Sequence, residues 1–162
     1  MPEELMGAPA YTGLTLYHDD KGGYSIWVPT DWVKVDLKSN HHGWLFSPYP
    51  DDFNTSIVVE KHRLKVTVVP DDVPVLREAF HNALQALPGV EIESTDENLS
   101  ESVNIFEARF TFLEGEDRRK RWVRNVYWGD GQLVITAQGR TPEDFQYWLP
   151  MFYNALTTVE II

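Results

Sequence analysis

The chain has 162 residues, of which 43% are hydrophobic and 24% charged, with six Trp, seven Tyr and eight Phe. That length suits one domain with room for a core, and the balance excludes disordered, collagen-like and coiled-coil readings. With 25 acidic against 14 basic residues the net charge is −11, a field that repels nucleic acid and anionic membranes. The lack of cysteine excludes disulfides, thiolate metal sites and cysteine nucleophiles.

Residues 1–12 are non-periodic and read as a flexible N-terminal tail, with neither the basic nor the apolar region of a signal peptide. Residues 13–162 read as a single domain. No apolar run approaches the roughly 18 residues of a membrane span. The chain therefore reads as cytoplasmic, although an exported protein with its leader removed reads the same way. Leu14, Leu16 and His18 alternate with Thr15 and Tyr17, and Tyr24, Ile26 and Val28 with Ser25 and Trp27. The turn-forming Asp19–Gly23 lies between, so the pair predicts a β-hairpin ended by Pro29, which lacks a ladder donor. Val33, Val35 and Leu37, then Trp44–Phe46, predict two more strands. Residues 56–60 and 64–69 read as one bent strand or two.

At 72–87 the period changes. Val73, Leu76, Phe80, Ala83, Leu84 and Leu87 recur as one helical face, with Asp71 or Asp72 as a cap, Pro74 in the first turn and Pro88-Gly89 as the stop. Val90–Ser94 and a polar loop follow. In 103–113, Asn104, Phe106, Ala108, Phe110 and Phe112 share one face of a strand; 119–128 returns. Gly129-Asp130-Gly131 is a tight turn into 132–138. A second helix over 142–156 buries Phe145, Trp148, Leu149, Phe152 and Leu156, with Thr141 capping and Pro150 expected to kink or split it. Val159–Ile161 reads as a short last strand. This order predicts an α+β fold, an antiparallel sheet of about six to eight strands covered by the two helices.

Gly23-Tyr24-Ser25-Ile26-Trp27-Val28-Pro29-Thr30-Asp31-Trp32 resembles the opening motif of the PsbP-like (Mog–PsbP–DcrB) families. These include the photosystem II extrinsic subunit PsbP, the Ran-binding Mog protein and bacterial domains of unknown function. The resemblance extends over residues 14–162 through the element order and the Gly131–Ala137 strand. It implies an α/β/α sandwich and a binding or assembly role rather than catalysis, and it carries over no functional residue.

The residues themselves offer few chemical constellations. Nucleophile elbows, phosphate loops and His-x-x-x-His spacings are missing, so the sequence reads as non-enzymatic, without cofactor or metal. His41-His42, and His18 with Asp19 and Asp20, are the metal-like or base-like groups; an uncharacterised hydrolase or metal site there is one alternative, set against ordinary loop and turn chemistry. The function-like feature is the basic hairpin strand Arg118-Arg119-Lys120-Arg121-Trp122-Val123-Arg124. Arg119, Arg121, Trp122 and Arg124 are candidate binding residues for an anion or acidic segment, the competing expectation being pairing with Glu114, Glu116 and Asp117. The six acids and no base between Glu91 and Glu107 offer this strand a partner in a second copy. Trp27, out of phase with Ile26 and Val28, is the further candidate contact, since exposed Trp is enriched at binding hot spots. The sequence thus predicts a protein-binding or assembly domain that binds a protein partner or itself, with no nucleic acid; a small-ligand or anion-binding module using 118–124 is the other alternative.

Overall fold

The computed structural model describes residues 9, 13–38 and 42–161. The tail expected over 1–12, apart from Pro9, lies outside the described residues, as does His41. The first hairpin pairs β1 (Leu14–Asp19) with β2 (Tyr24–Pro29), Leu16 opposite Trp27. Gly23, at a φ of 73°, turns the chain between them. The alternation of β1 has the opposite sense to its hydropathy. Leu14 and Leu16 are exposed, while Tyr17 packs inward against Trp44 and Phe46.

Strands β3 (Val33–Asp36), β4 (His42–Ser47) and β5 (Ser56–Arg63) follow. Residues 64–69 do not extend β5. The N–H groups of Leu64 and Val68 instead donate to the carbonyls of Asp130 and Gly129, which clips this segment to a distant turn. The first helix, α1 (Val73–Gln85), is entered through a 3₁₀ turn at Pro70–Asp72. Asp72 does not cap α1 with its side chain; its carboxylate accepts from Val69 N–H at 2.9 Å and fixes the turn.

Where the sequence reads as a polar loop, the chain forms β6 (Glu91–Leu99), an edge strand. Its acidic residues carry no hydrophobic alternation because solvent takes much of both faces. It pairs with β7 (Val103–Glu114), β7 with β8 (Asp117–Trp128), and β8 with β9 (Gly131–Gly139). Both of the last two turns place glycine at the first loop position, Gly115 at φ 64° and Gly129 at φ 54°. The positive φ therefore falls on Gly129 rather than on the Asp130-Gly131 pair, the pattern of a II′ hairpin.

The second helix, α2 (Pro142–Thr158), runs unbroken through Pro150. The missing Pro150 N–H frees the Gln146 carbonyl, and both residues lie on the exposed side, where the carbonyl faces solvent rather than core. The last strand, β10 (Glu160–Ile161), joins the far side of β2.

Ten strands thus form two antiparallel sheets instead of one: β1-β2-β10, and β3-β4-β5-β9-β8-β7-β6. Face assignment follows from the register, since directly opposed residues share a face. On one face of the large sheet Phe106, Ala108, Phe110 and Phe112 meet Phe80 and Leu84 of α1. On the other, Ile57, Val59, Leu133, Ile135 and Ala137 meet Phe145, Phe152, Ala155 and Leu156 of α2, joined by Tyr24, Ile26 and Val28 of the small sheet. Helix, sheet, and helix with small sheet make three layers, as an α/β/α sandwich requires. Trp32, after the strand-breaking Pro29, packs edge-on to Trp148 at 5.4 Å between ring centroids. Among the described residues no helix is long and apolar enough to cross a membrane.

Candidate binding site

The basic run 118–124 is contiguous in sequence but divided in space, because a strand sends successive side chains to opposite faces. Arg119 and Arg121 share the face of Phe110 and Phe112; Lys120, Trp122 and Arg124 share the face of α2. Trp122 is core, 3% exposed, with the Arg109 guanidinium 4.2 Å above its ring. It is not an open binding surface.

Most of the charges are answered inside the molecule. Arg119 pairs with Glu114 at 3.2 Å and Asp117 at 3.7 Å, Lys120 with Glu93 at 2.8 Å, Arg124 with Glu107 at 3.2 Å, and Arg118 with Glu91 at 4.0 Å. The acidic stretch and the basic strand are thus neighbours in one sheet, which removes the need for a second copy to bring them together.

Arg121 differs. Its Nε donates to Gln138 Oε1 at 2.6 Å and its guanidinium lies 4.3 Å from the Phe112 ring centroid. No carboxylate lies within ion-pair distance of it among the described residues, and burial holds its pKa below the ordinary arginine value, with Glu114 opposing weakly. It lines a groove of about 320 Å³ on the half of the sheet face beyond α1, with Leu45, Phe53, Val58 and Glu60.

The histidine groups are rearranged relative to expectation. His18 bonds Asp20 at 2.8 Å on the surface, not Asp19. Asp19, 6% exposed, accepts from Gly22 N–H at 2.9 Å and Trp44 Nε1–H at 3.2 Å, and its Oδ2 lies 2.6 Å from His42 Nε2. Burial pushes its pKa up, but these hydrogen bonds and the imidazole outweigh that and hold it below the usual carboxylate range. The pairing reaches across 23 positions, and no local spacing announced it. Among the described residues no group of three His, Cys, Asp or Glu gathers as a metal site.

A further cavity, unseen in the sequence, opens where the capped start of α2 meets the loop after β4. It holds about 550 Å³ and is walled by Tyr49, Tyr147, Trp148 and Arg140. Thr141 Oγ1 accepts from Asp144 N–H at 3.0 Å, and Asp144 in turn receives the Tyr49 hydroxyl at 2.9 Å and the Thr55 hydroxyl. Trp148 Nε1 donates to Tyr49 at 3.0 Å, and Arg140 lies 4.2 Å over the Tyr49 ring, paired with Asp52 at 3.2 Å. Burial, and then Asp144, push the Tyr49 phenol pKa up despite the Trp148 donor. Trp27 lies on the outer face of the small sheet, 39% exposed beside Leu16 at 45%.

This architecture, two helices over a long antiparallel sheet with a small N-terminal sheet closing one side, recurs in solved structures. Cyanobacterial PsbP (CyanoP) from Synechocystis sp. PCC 6803 superposes with a TM-score of 0.65 at 14% identity, over 94% of this chain and 95% of its own. The chain has the PsbP-like fold. LpqN, involved in cell envelope biogenesis of Mycobacterium tuberculosis, has a TM-score of 0.61 at 15% identity over 92% of this chain and 90% of its own. The Saccharomyces cerevisiae Ran-binding protein Mog1p has 0.54 at 10% identity over 92% and 95%. No protein-family model and no curated protein matches the sequence. At these identities the PsbP-like likeness concerns the fold alone.

Proposed function

We propose that this domain is a non-enzymatic protein-binding module whose contact face is the outer side of the first hairpin, centred on Leu16 and Trp27. The observation that carries the reading is this cross-strand pair. Of the six tryptophans Trp27 alone is exposed, and its partner Leu16 is exposed with it. A large aromatic beside an aliphatic on the outer face of the three-stranded sheet is the composition of an interface anchor. That Saccharomyces cerevisiae Mog1p, of similar fold, is a Ran-binding protein is consistent with protein partnership on this fold, as an analogy only. The Asp19–His42 pair offers no competing nucleophile: Asp19 is engaged by Gly22 N–H, Trp44 Nε1–H and His42 Nε2, in keeping with an orienting, structural carboxylate.

The test is a photo-crosslinking residue at Leu16 in living cells, with Val75 on exposed α1 as the control position. A discrete protein adduct from position 16, lost on Trp27→Ser, is expected. Equal adducts from both positions, or adducts unaffected by Trp27→Ser, overturn the reading. Light scattering of the purified chain distinguishes a second copy from a different partner.

A further inference from the structure

The basic strand sets up an electrostatic imbalance at one position. Arg118, Arg119, Lys120 and Arg124 each have a carboxylate at 4.0 Å or less. Arg121 has none among the described residues, although it is half-buried in a chain of net charge −11. A partly desolvated charge without a counter-ion is costly, and such a group beside a groove is a candidate ligand site.

The guanidinium is also held in place. Gln138 accepts from its Nε at 2.6 Å and is itself fixed by donating to Asn54 O at 2.6 Å. Phe112 supports the planar face. With Nε engaged, the terminal amino groups donate to no protein acceptor among the described residues, and a planar pair of such donors matches the two oxygens of a carboxylate.

The surroundings define the rest of the ligand. Leu45, Phe53 and Val58 put an apolar strip beside Arg121 in a lining that is otherwise polar, with Asn54, Ser56, Thr136 and Gln138, and Phe53 is 41% exposed. Glu60 and Glu114 also line it, but Glu114 is already paired with Arg119 at 3.2 Å and Glu60 lies 3.4 Å from His62 Nε2, which leaves Arg121 as the cation without a carboxylate partner there. The two carboxylates repel a dianion such as phosphate more strongly than a single carboxylate seated on Arg121. A volume of about 320 Å³ suits a small molecule.

We infer that the groove on the open half of the large sheet is a binding site for a small monocarboxylate with an apolar body, its carboxylate held by Arg121 and its body lying on Leu45, Phe53 and Val58. The site is separate from the Leu16–Trp27 face, so it stands or falls independently of the function proposed above.

The probe is 3-phenylpropionate, titrated into the purified chain by calorimetry and by NMR of the Gln138 side-chain amide and the Arg121 Nε–H. Saturable binding that shifts both signals is expected. Arg121→Gln is expected to weaken it by roughly tenfold or more, the scale of a lost charge-assisted hydrogen bond. Lys120→Gln, on the opposite face, and Trp27→Ser leave it unchanged. The NMR shifts of the unmodified chain carry the test should Arg121→Gln fail to fold. Absence of saturable binding, equal affinity for 3-phenylpropionamide, equal or tighter binding of inorganic phosphate, or shifts confined to residues outside the groove would each overturn the inference.

Discussion

Replacing Asp19 by Asn tests whether the buried carboxylate at the end of the first strand holds the hairpin to β4. The variant keeps size and shape but turns one acceptor oxygen into a donor amide. With the remaining oxygen kept on Gly22 N–H, the amide faces Trp44 Nε1, which can only donate, and His42 Nε2. A hydrogen bond to a charged group contributes about 1.5–3 kcal/mol, and relief from burying the charge offsets part of two such losses. The expected net cost is about 2–3 kcal/mol at neutral pH, or a fall in Tm of about 5–10 °C for a domain of this size. The pH dependence has a defined sign. Asp19 has a folded pKa below its unfolded value of about 3.9, so its contribution is complete above that value and fades as pH falls through the folded pKa. Urea unfolding followed by tryptophan fluorescence at pH 7 and pH 3 measures both effects. A variant within about 0.5 kcal/mol of the parent at pH 7, or a gap that does not narrow at pH 3, refutes the assignment.

Gly139→Ala places a methyl group 2.5 Å from Phe145 Cα, so the start of α2 must move off the sheet. Thermal melting is expected to show a loss of about 1–3 kcal/mol, and an unchanged Tm contradicts that close approach. Tyr49→Phe keeps the ring beneath Arg140 but leaves Trp148 Nε1–H without its acceptor, at a cost of about 1–2 kcal/mol by urea titration. Phe152→Ala, from a side chain with no exposure, is expected to cost about 3–5 kcal/mol. Tyr153→Ala, one residue along the helix but 57% exposed, costs far less, and equal losses would mean that the helix faces are misassigned.

The elements with strong periodicity were legible from the residues alone. Phe106, Phe110 and Phe112 announce β7 because its two faces meet different environments, and Phe80 with Leu84 announces α1 for the same reason. Strand β6 was hidden because an edge strand rich in Glu and Asp has no apolar alternation to display; its order comes from a neighbour, including Arg77, which reaches Glu97 from α1 with Nη2–Oε1 at 2.8 Å. The division into two sheets was equally hidden, since hydropathy reports that a segment is a strand and not which strand it joins. At the sites, proximity in sequence misled. Arg119 to Arg124 looked like one patch, yet alternation sends Arg121 and Trp122 to different layers. Asp19 and His42, 23 positions apart, met without any local signal.

The junction of β10 with β2, where Glu160 stands opposite Ser25, places the last step of the architecture almost a whole chain away from its template. During synthesis the first hairpin leaves the ribosome long before the strand that completes its sheet. Until then its inner residues Tyr24, Ile26 and Val28 also lack α2, against which they pack. Such a non-local closure slows folding. It makes the N-terminal hairpin a segment whose apolar side waits for cover until the C-terminal elements arrive.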